Sequence, residues 1–340
     1  MAESVFVPVD SGSAPPAVPQ AGWPLHRFAG TSMGTHWSVQ AYAPPDVAAA
    51  RLQAAIEHEL DRAIALFSHW HAHSELARCN AAPAGRWQFS PQAWTLIADS
   101  LAWAEASGGA VDPTLGALVD LWGFGPAGPR PAQAPLPAPG EIASAAQASG
   151  WQRVRADAAT RQLHKPAGLQ LDLGGIAKGW AVDQVSARLA REGARAHLVE
   201  LGGELKARGL KPDLQPWWVE LDHGAGGAGG PRSLLALVDG AVATSGDAQR
   251  HFEHGGQRYA HTIDGRTGWP MAHGVAAVTV LHAQAAQADA QATALTVMPP
   301  AQALAWAERQ GLAALLTLRT EDGLQQRMSS AMAAMLEQDT

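Results

Sequence analysis

The sequence predicts an α+β fold, in which one or more mixed, largely antiparallel sheets are covered by helices. Three observations carry this. Strand-like and helix-like segments are interleaved along the chain. Several neighbouring strand segments are joined by turns too short for a crossover helix. The G-x-G-x-x-G strings at 123–128 and 224–229 do not join a strand to a helix, and no GxxxxGK[ST] loop is present, so neither a dinucleotide nor a P-loop fold has support. The 340 residues can bury one large core or two intimate lobes, and 35 Gly with 23 Pro imply many turns.

Taken in order, residues 1–25 carry Ser, Pro and Gly without periodicity and read as a loose arm before a single domain over 26–340. Thr35-His-Trp-Ser-Val-Gln-Ala-Tyr42 alternates as a strand does. Asp46 is placed to cap a helix reaching about Phe67, and 91–107 reads as a second helix closed by Gly108-Gly109. The Pro- and Ala-rich stretch 126–139 reads as an extended surface loop. A short strand over 169–173 feeds a helix over 176–191. A strand over 196–201 then turns at Gly202-Gly203. Strands at 216–222 and 233–239 flank a glycine-rich loop at 224–230. A strand over 275–281 leads into an Ala-rich helix around 287–295. A helix over 300–309, a strand over 313–318 and a last helix near 327–337 complete the pattern. No internal repeat is visible.

Composition narrows the function classes. A net charge of −7 leaves no basic stripe for nucleic acid. The single cysteine, Cys79, rules out an intrachain disulfide. No apolar run approaches the length of a membrane span, and the first residues lack the basic and apolar regions of a secretory signal, so a cytoplasmic protein is expected.

Three segments carry chemistry. On the Ala-rich helix, Asp289 and Thr293 stand four residues apart and share a face, offering a carboxylate and a hydroxyl to a hard cation such as Mg²⁺. A strand-to-helix carbonyl such as that of Gly175 could add a ligand. Asp172-Leu-Gly-Gly-Ile-Ala-Lys178-Gly joins strand to helix, where N–H groups and Lys178 favour an anion. His261, ahead of the Asp264-Gly-Arg-Thr-Gly268 turn, could take a proton from a hydroxyl near neutral pH. Each also has a plain structural reading: dipole complement, ordinary connection, one of 14 histidines. If His69-Trp70-His71-Ala72-His73 is a strand, its three imidazoles face one way and could bind zinc; as a loop, it suits a ring-stacking Trp70.

Together the segments resemble the FAD:protein FMN transferase family, also called the ApbE family. The matching text runs in order: Ser32-Met33-Gly34-Thr35; Trp70 with Ser74-Glu75-Leu76-Ala-Arg-Cys-Asn80; Gly109-Ala-Val-Asp112-Pro-Thr-Leu-Gly116; Leu121-Trp-Gly-Phe-Gly-Pro126; Asp172 to Gly179; Glu200-Leu-Gly-Gly-Glu204; Ala243-Thr-Ser-Gly-Asp247; His261-Thr-Ile-Asp264 with Thr267-Gly268; and Asp289 to Leu295. The resemblance implies a T-fold-like architecture, possible lobes with an FAD site between them, and Mg²⁺-dependent transfer of FMN from FAD to a protein threonine. It implies FAD contacts from Met33, Trp70, Ala110, Val111, Asp112, Asp172, Lys178 and Ile263. It implies Mg²⁺, or Mn²⁺, held by Asp289, Thr293 and the Gly175 and Ala292 carbonyls, with His261 as the base. The implied partner is an acceptor flavoprotein subunit of a membrane redox complex, modified at a threonine in a short Asp/Ser/Ala/Thr-rich motif. Many family members are exported, which makes the periplasm the alternative compartment. Family members commonly carry an acidic residue where His73 stands. Hydrolysis of FAD to FMN and AMP, and flavin binding without turnover, stay open as alternatives.

Overall fold

The computed structural model describes residues 3–8, 15–131, 134–224, 232–248 and 250–337. The chain forms two compact units, one from residues 1–62, 178–246 and 274–340 and the other from 63–177 and 247–273. Among the described residues no helix is long and apolar enough to cross a membrane.

The first unit is built on an eight-stranded sheet. In spatial order its strands are Gly323–Met328, Ala313–Thr320, Val275–His282, Ala241–Gly246, Glu204–Arg208, Ala196–Leu201, Thr35–Tyr42 and Leu25–Ser32, and every neighbouring pair is antiparallel. The Ala285–Val297 helix packs on the Ala241–Gly246 and Val275–His282 strands. It is buried on nearly all sides, which its run of alanines permits, because a methyl group lets backbones approach closely. A second, three-stranded sheet sets Arg232–Leu237 antiparallel to Trp217–Glu220 and parallel to Glu3–Phe6. Phe6, Trp217, Leu235, Val242, Leu315 and Met332 share one core.

Several expectations need correction. Part of the segment read as a loose arm is structured: Glu3–Phe6 is a strand and Phe6 is fully buried, four residues being too few to show a period. Residues 1, 2 and 9–14 of that segment lie outside the described residues, as do 225–231 of the glycine-rich stretch. Asp46 lies in the turn before the Ala49–Phe67 helix rather than capping it. Residues 169–173 are not a strand. Only Gln170 makes a bridge, to Leu115, while the Leu171 N–H and carbonyl are taken by the Asn80 side chain at 2.7 and 2.8 Å. The helix expected near 327–337 shrinks to Ser330–Ala333, because the strand Gly323–Met328 uses the preceding residues and Ser329 caps the single turn that remains.

The second unit holds the helices Glu75–Ala81, Pro91–Ala106, Gly116–Leu121 and Pro139–Ala148, with a small sheet and two short hairpins. Pro91–Ala106 matches its sequence signals closely, with Ser90 accepting from the Ala93 N–H, Pro91 in the first turn, and Gly108 and Gly109 at positive φ. The core is aromatic: Trp122 lies against Tyr259, Phe252 and Trp269, and its indole N–H donates to the Gly268 carbonyl at 2.8 Å.

Candidate functional site

The residues singled out in the sequence divide between the units. Met33, Lys178, Asp289, Ala292 and Thr293 belong to the first; Trp70, Ala110, Val111, Asp112, Asp172, Gly175, His261 and Ile263 belong to the second.

In the first unit, Met33 and Gly34 form the two-residue turn between Leu25–Ser32 and Thr35–Tyr42, with φ of 51° and 75°. Two consecutive positive φ values mark a primed hairpin turn, where Gly or Asn is the ordinary choice and a Met is strained. The Gly202-Gly203 turn lies beside it: a Cβ on Gly202 would stand 2.6 Å from the Thr35 side chain, and the Gly202 N–H donates to the His36 carbonyl at 3.1 Å. Lys178 reaches the same turn, with Nζ 3.5 Å from the Gly202 carbonyl and 2.5 Å from Glu204 Oε2.

Glu204 and Asp289 are 1% and 3% exposed, so two carboxylates and one ammonium share a buried region. Burial pushes Glu204 up to about 8, opposed by Lys178 and reinforced by the Asp289 charge. Asp289 is raised too, by burial, against the pull of Lys178 and of the Gly179 N–H, which donates to Oδ2 at 3.1 Å. Two crowded carboxyl groups that hold their protons above the ordinary range offer hard oxygens to a divalent cation, which would take the protons' place. Thr293 is half-buried on the same helix, and the Ala292 carbonyl accepts the Thr296 hydroxyl at 2.8 Å. Among the described residues no group of three His, Cys, Asp or Glu side chains is arranged to hold a metal. A Mg²⁺ ion that completes its shell with water and substrate phosphates needs no such group.

The helix that carries Asp289 is capped from outside. Gln284 makes no side-chain cap, and Asp183 accepts the Ala285 and Ala286 N–H groups at 3.0 Å each while Lys206 donates to it at 2.8 Å. Gly179 lies against the same turn, where a Cβ would stand 2.3 Å from the Ala285 carbonyl oxygen.

In the second unit, residues 69–73 form bends and turns rather than a strand, so the three imidazoles share no face and the zinc reading loses its premise. Trp70 is 53% exposed, lies over His69 at 3.7 Å between ring centroids and faces the Arg250 guanidinium at 5.9 Å. His69 Nδ1 is 3.8 Å from Asp172 Oδ1, and both residues line a cavity of about 220 Å³ with Asn80, Gly116, Gln170 and Leu171. Asp172 also accepts the Gly174 N–H at 2.7 Å, which shapes the turn that carries Gly175. Asp112 accepts from the Thr114 N–H and hydroxyl at 2.8 and 2.6 Å and from the Trp151 N–H at 3.3 Å. Burial raises its carboxyl, and those bonds oppose the rise. Ala110, Val111 and Ile263 are buried.

His261 receives a defined tautomer. Its Nδ1 lies 3.0 Å from the Arg250 carbonyl, which can only accept, so Nδ1 carries the proton and Nε2 the lone pair. Phe124 stands edge-on to the ring at 6.2 Å. Glu204, Asp183 and Arg250 have no role on sequence grounds, and His69 has only the zinc reading. Only Glu204 had a signal there, an acidic residue opening a strand straight after Gly-Gly.

Known proteins resemble the chain over nearly its whole length. The ApbE family model matches residues 33–316. The FAD:protein FMN transferase of Vibrio cholerae serotype O1 is 33% identical over 312 residues, covering 91% of this chain and 92% of that protein. The Haemophilus influenzae protein of the same name is 32% identical over 319 residues, with 91% of each covered. The apo crystal structure of Pseudomonas stutzeri flavinyl transferase ApbE superposes with a TM-score of 0.84 at 34% identity, covering 94% of this chain and 98% of that one. The flavin transferase ApbE from Vibrio cholerae gives 0.83 at 32% identity, with 92% and 100% covered. With a match that takes in Met33, the Gly174-Gly175 turn, His261 and Asp289 alike, the protein belongs to the ApbE family.

Proposed function

We propose that the protein transfers FMN from FAD to a threonine hydroxyl of an acceptor flavoprotein and releases AMP, with Mg²⁺ required. The observation that carries the reading is Asp289: a buried carboxylate beside Glu204 and Lys178, in a chain whose relatives are named for this reaction. Asp289, the Thr293 hydroxyl and the carbonyls of Gly175 and Ala292 would hold the ion, and Mn²⁺ would suit the same oxygens. When bound, it supplies charge neutralisation to the FAD diphosphate.

The chain's own residues account for the rest. Trp70, exposed and backed by His69, offers a face on which a flavin or adenine ring can stack. Met33, Ala110, Val111, Asp112, Asp172, Lys178 and Ile263 would complete the FAD site. His261 Nε2 accepts the proton of the threonine hydroxyl. The threonine oxygen attacks the FMN-side phosphorus, the bond from that phosphorus to the bridging oxygen breaks, and AMP leaves with its electron pair. Holding nucleophile and phosphorus in line supplies much of the rate.

The test is incubation with FAD and Mg²⁺, with and without an acceptor protein carrying a threonine in an Asp/Ser/Ala/Thr-rich motif. The expected result is FMN on that threonine by mass spectrometry, with AMP appearing only when acceptor is present. Equal release of FMN and AMP without acceptor would make the protein a hydrolase and overturn the reading.

A further inference from the structure

We propose that Arg250 is the cationic residue that binds the phosphoryl oxygens of the FAD diphosphate, in register with the base His261. The inference rests on the flavin-transfer reading above and adds to it a residue to which neither the sequence motifs nor the comparisons give a role.

Three arginines lie between residues 247 and 273. Arg258 pairs with Asp247 at 3.1 Å and Arg266 with Asp264 at 2.8 Å. Arg250 differs. Its Nη2 donates to the Phe124 carbonyl at 3.0 Å and its guanidinium faces the Trp70 ring at 5.9 Å, and among the described residues no carboxylate is paired with it. The residue is nonetheless exposed. An exposed arginine with no task normally moves freely, whereas this one is tethered by a carbonyl and an aromatic face. Neither tether neutralises its charge, and the rest of its donor fork is left for an anion.

Its neighbours are the residues that the transfer reaction would use. The Arg250 carbonyl accepts both the main-chain N–H of His261 at 3.1 Å and its Nδ1–H at 3.0 Å. Phe124, which holds the guanidinium through its carbonyl, meets the His261 ring with its own ring. Arg250, Phe124 and His261 thus form a closed circuit, with the stacking face of Trp70 on its rim. One residue therefore fixes the base through its main chain and presents a planar cation through its side chain. Phosphoryl transfer accumulates negative charge on the oxygens of the attacked and departing phosphates. A fixed guanidinium can meet two such oxygens at once, which a mobile lysine does less well.

The experiment compares wild type with Arg250→Gln, which keeps an amide donor for the Phe124 carbonyl and loses the charge, and with Arg250→Lys. Binding of FAD and of riboflavin, which has no phosphate, is monitored by flavin fluorescence without acceptor; transfer to the acceptor is measured separately. The expected result for Arg250→Gln is FAD affinity lowered about ten- to a hundredfold, with riboflavin affinity unchanged, and Arg250→Lys should recover part of the loss. Equal weakening of FAD and riboflavin would mean that Arg250 only supports the Trp70 face and would overturn the proposal. So would unchanged FAD binding in Arg250→Gln. A wild type that binds FAD with this dependence on Arg250 yet never modifies an acceptor would remove the transfer reading and leave the phosphate site standing. A wild type that binds no FAD would remove both.

Discussion

Met33 sits at the tip of its hairpin with φ of 51°, next to Gly34 at 75°. A side chain in that region costs about 1–2 kcal/mol that a glycine would not incur. The strain makes sense if the thioether is kept for a ligand. Met33→Gly should therefore leave chemical-denaturation stability unchanged or raise it by about 1 kcal/mol, while weakening FAD binding. A clear loss of stability would instead make Met33 a packing residue. At this scale the sequence was legible for placement where chemistry and spacing coincide: Asp289 and Thr293 do share one helix, and Lys178 does lie close enough to Asp289 to act on its charge. Glu204 was not, because an acidic residue opening a strand reads as solvent-facing. Its burial depends on partners as distant as Ala243, across the sheet. Arg250 was invisible for a similar reason: what marks it is the carbonyl and ring it meets, not its place in a motif.

The Ala285–Val297 helix is held from its first turn by Gly179 and Asp183, both on the Ala177–Arg191 helix. A methyl group at residue 179 would strike the Ala285 carbonyl, and backbone cannot yield as a side-chain tip does. Gly179→Ala should cost about 1–3 kcal/mol in urea unfolding. It should also raise the Mg²⁺ concentration needed for half-maximal transfer, since the Gly179 N–H bonds Asp289. Unchanged stability would show that the two helices part without penalty. Elements with strong punctuation were readable: Ser90-Pro91 opening one helix, and Gly311 at φ 65° closing the Pro300–Gln310 helix. The Pro139–Ala148 helix hid in a Pro- and Ala-rich stretch, where its start is marked only by Pro139 and by the Glu141 carboxylate accepting the Ala138 N–H. The supposed strand at 169–173 shows the opposite error. An apolar run carries no statement of what will satisfy its backbone, and here a single asparagine does.

Across the whole molecule, the mixed and largely antiparallel architecture was legible from short turns between strands. The division of the chain was not: its boundaries fall inside the Ala49–Phe67 helix and beside Lys178, where no change of composition marks them. Stability at this scale carries a signature of its own. His197 is fully buried in the Ala196–Leu201 strand, its Nε2 2.8 Å from Ser186 Oγ, and burial pushes its imidazole down to about 3 from 6.5. The folded state therefore prefers the neutral ring, and protons favour the unfolded chain. Stability from this group is complete above pH of about 6.5 and declines below it by up to about 1.4 kcal/mol per pH unit. Urea midpoints compared between about pH 7 and about pH 5 should show a loss of about 2 kcal/mol in wild type, largely absent from His197→Asn. Equal slopes in the two proteins would show that the ring is hydrated.

The Glu3–Phe6 strand has a consequence for how the molecule comes into being. It aligns with residues 232–235, and it is stitched on its other side by Val7 N–H to Met335 and Glu337 N–H to Val5 main-chain bonds of 2.7 and 2.9 Å. Residues 3–7 thus find their neighbours only in segments that come more than about two hundred residues later in the chain. Until those segments have been made, the short apolar strand waits unpaired, so vectorial synthesis cannot close this layer early.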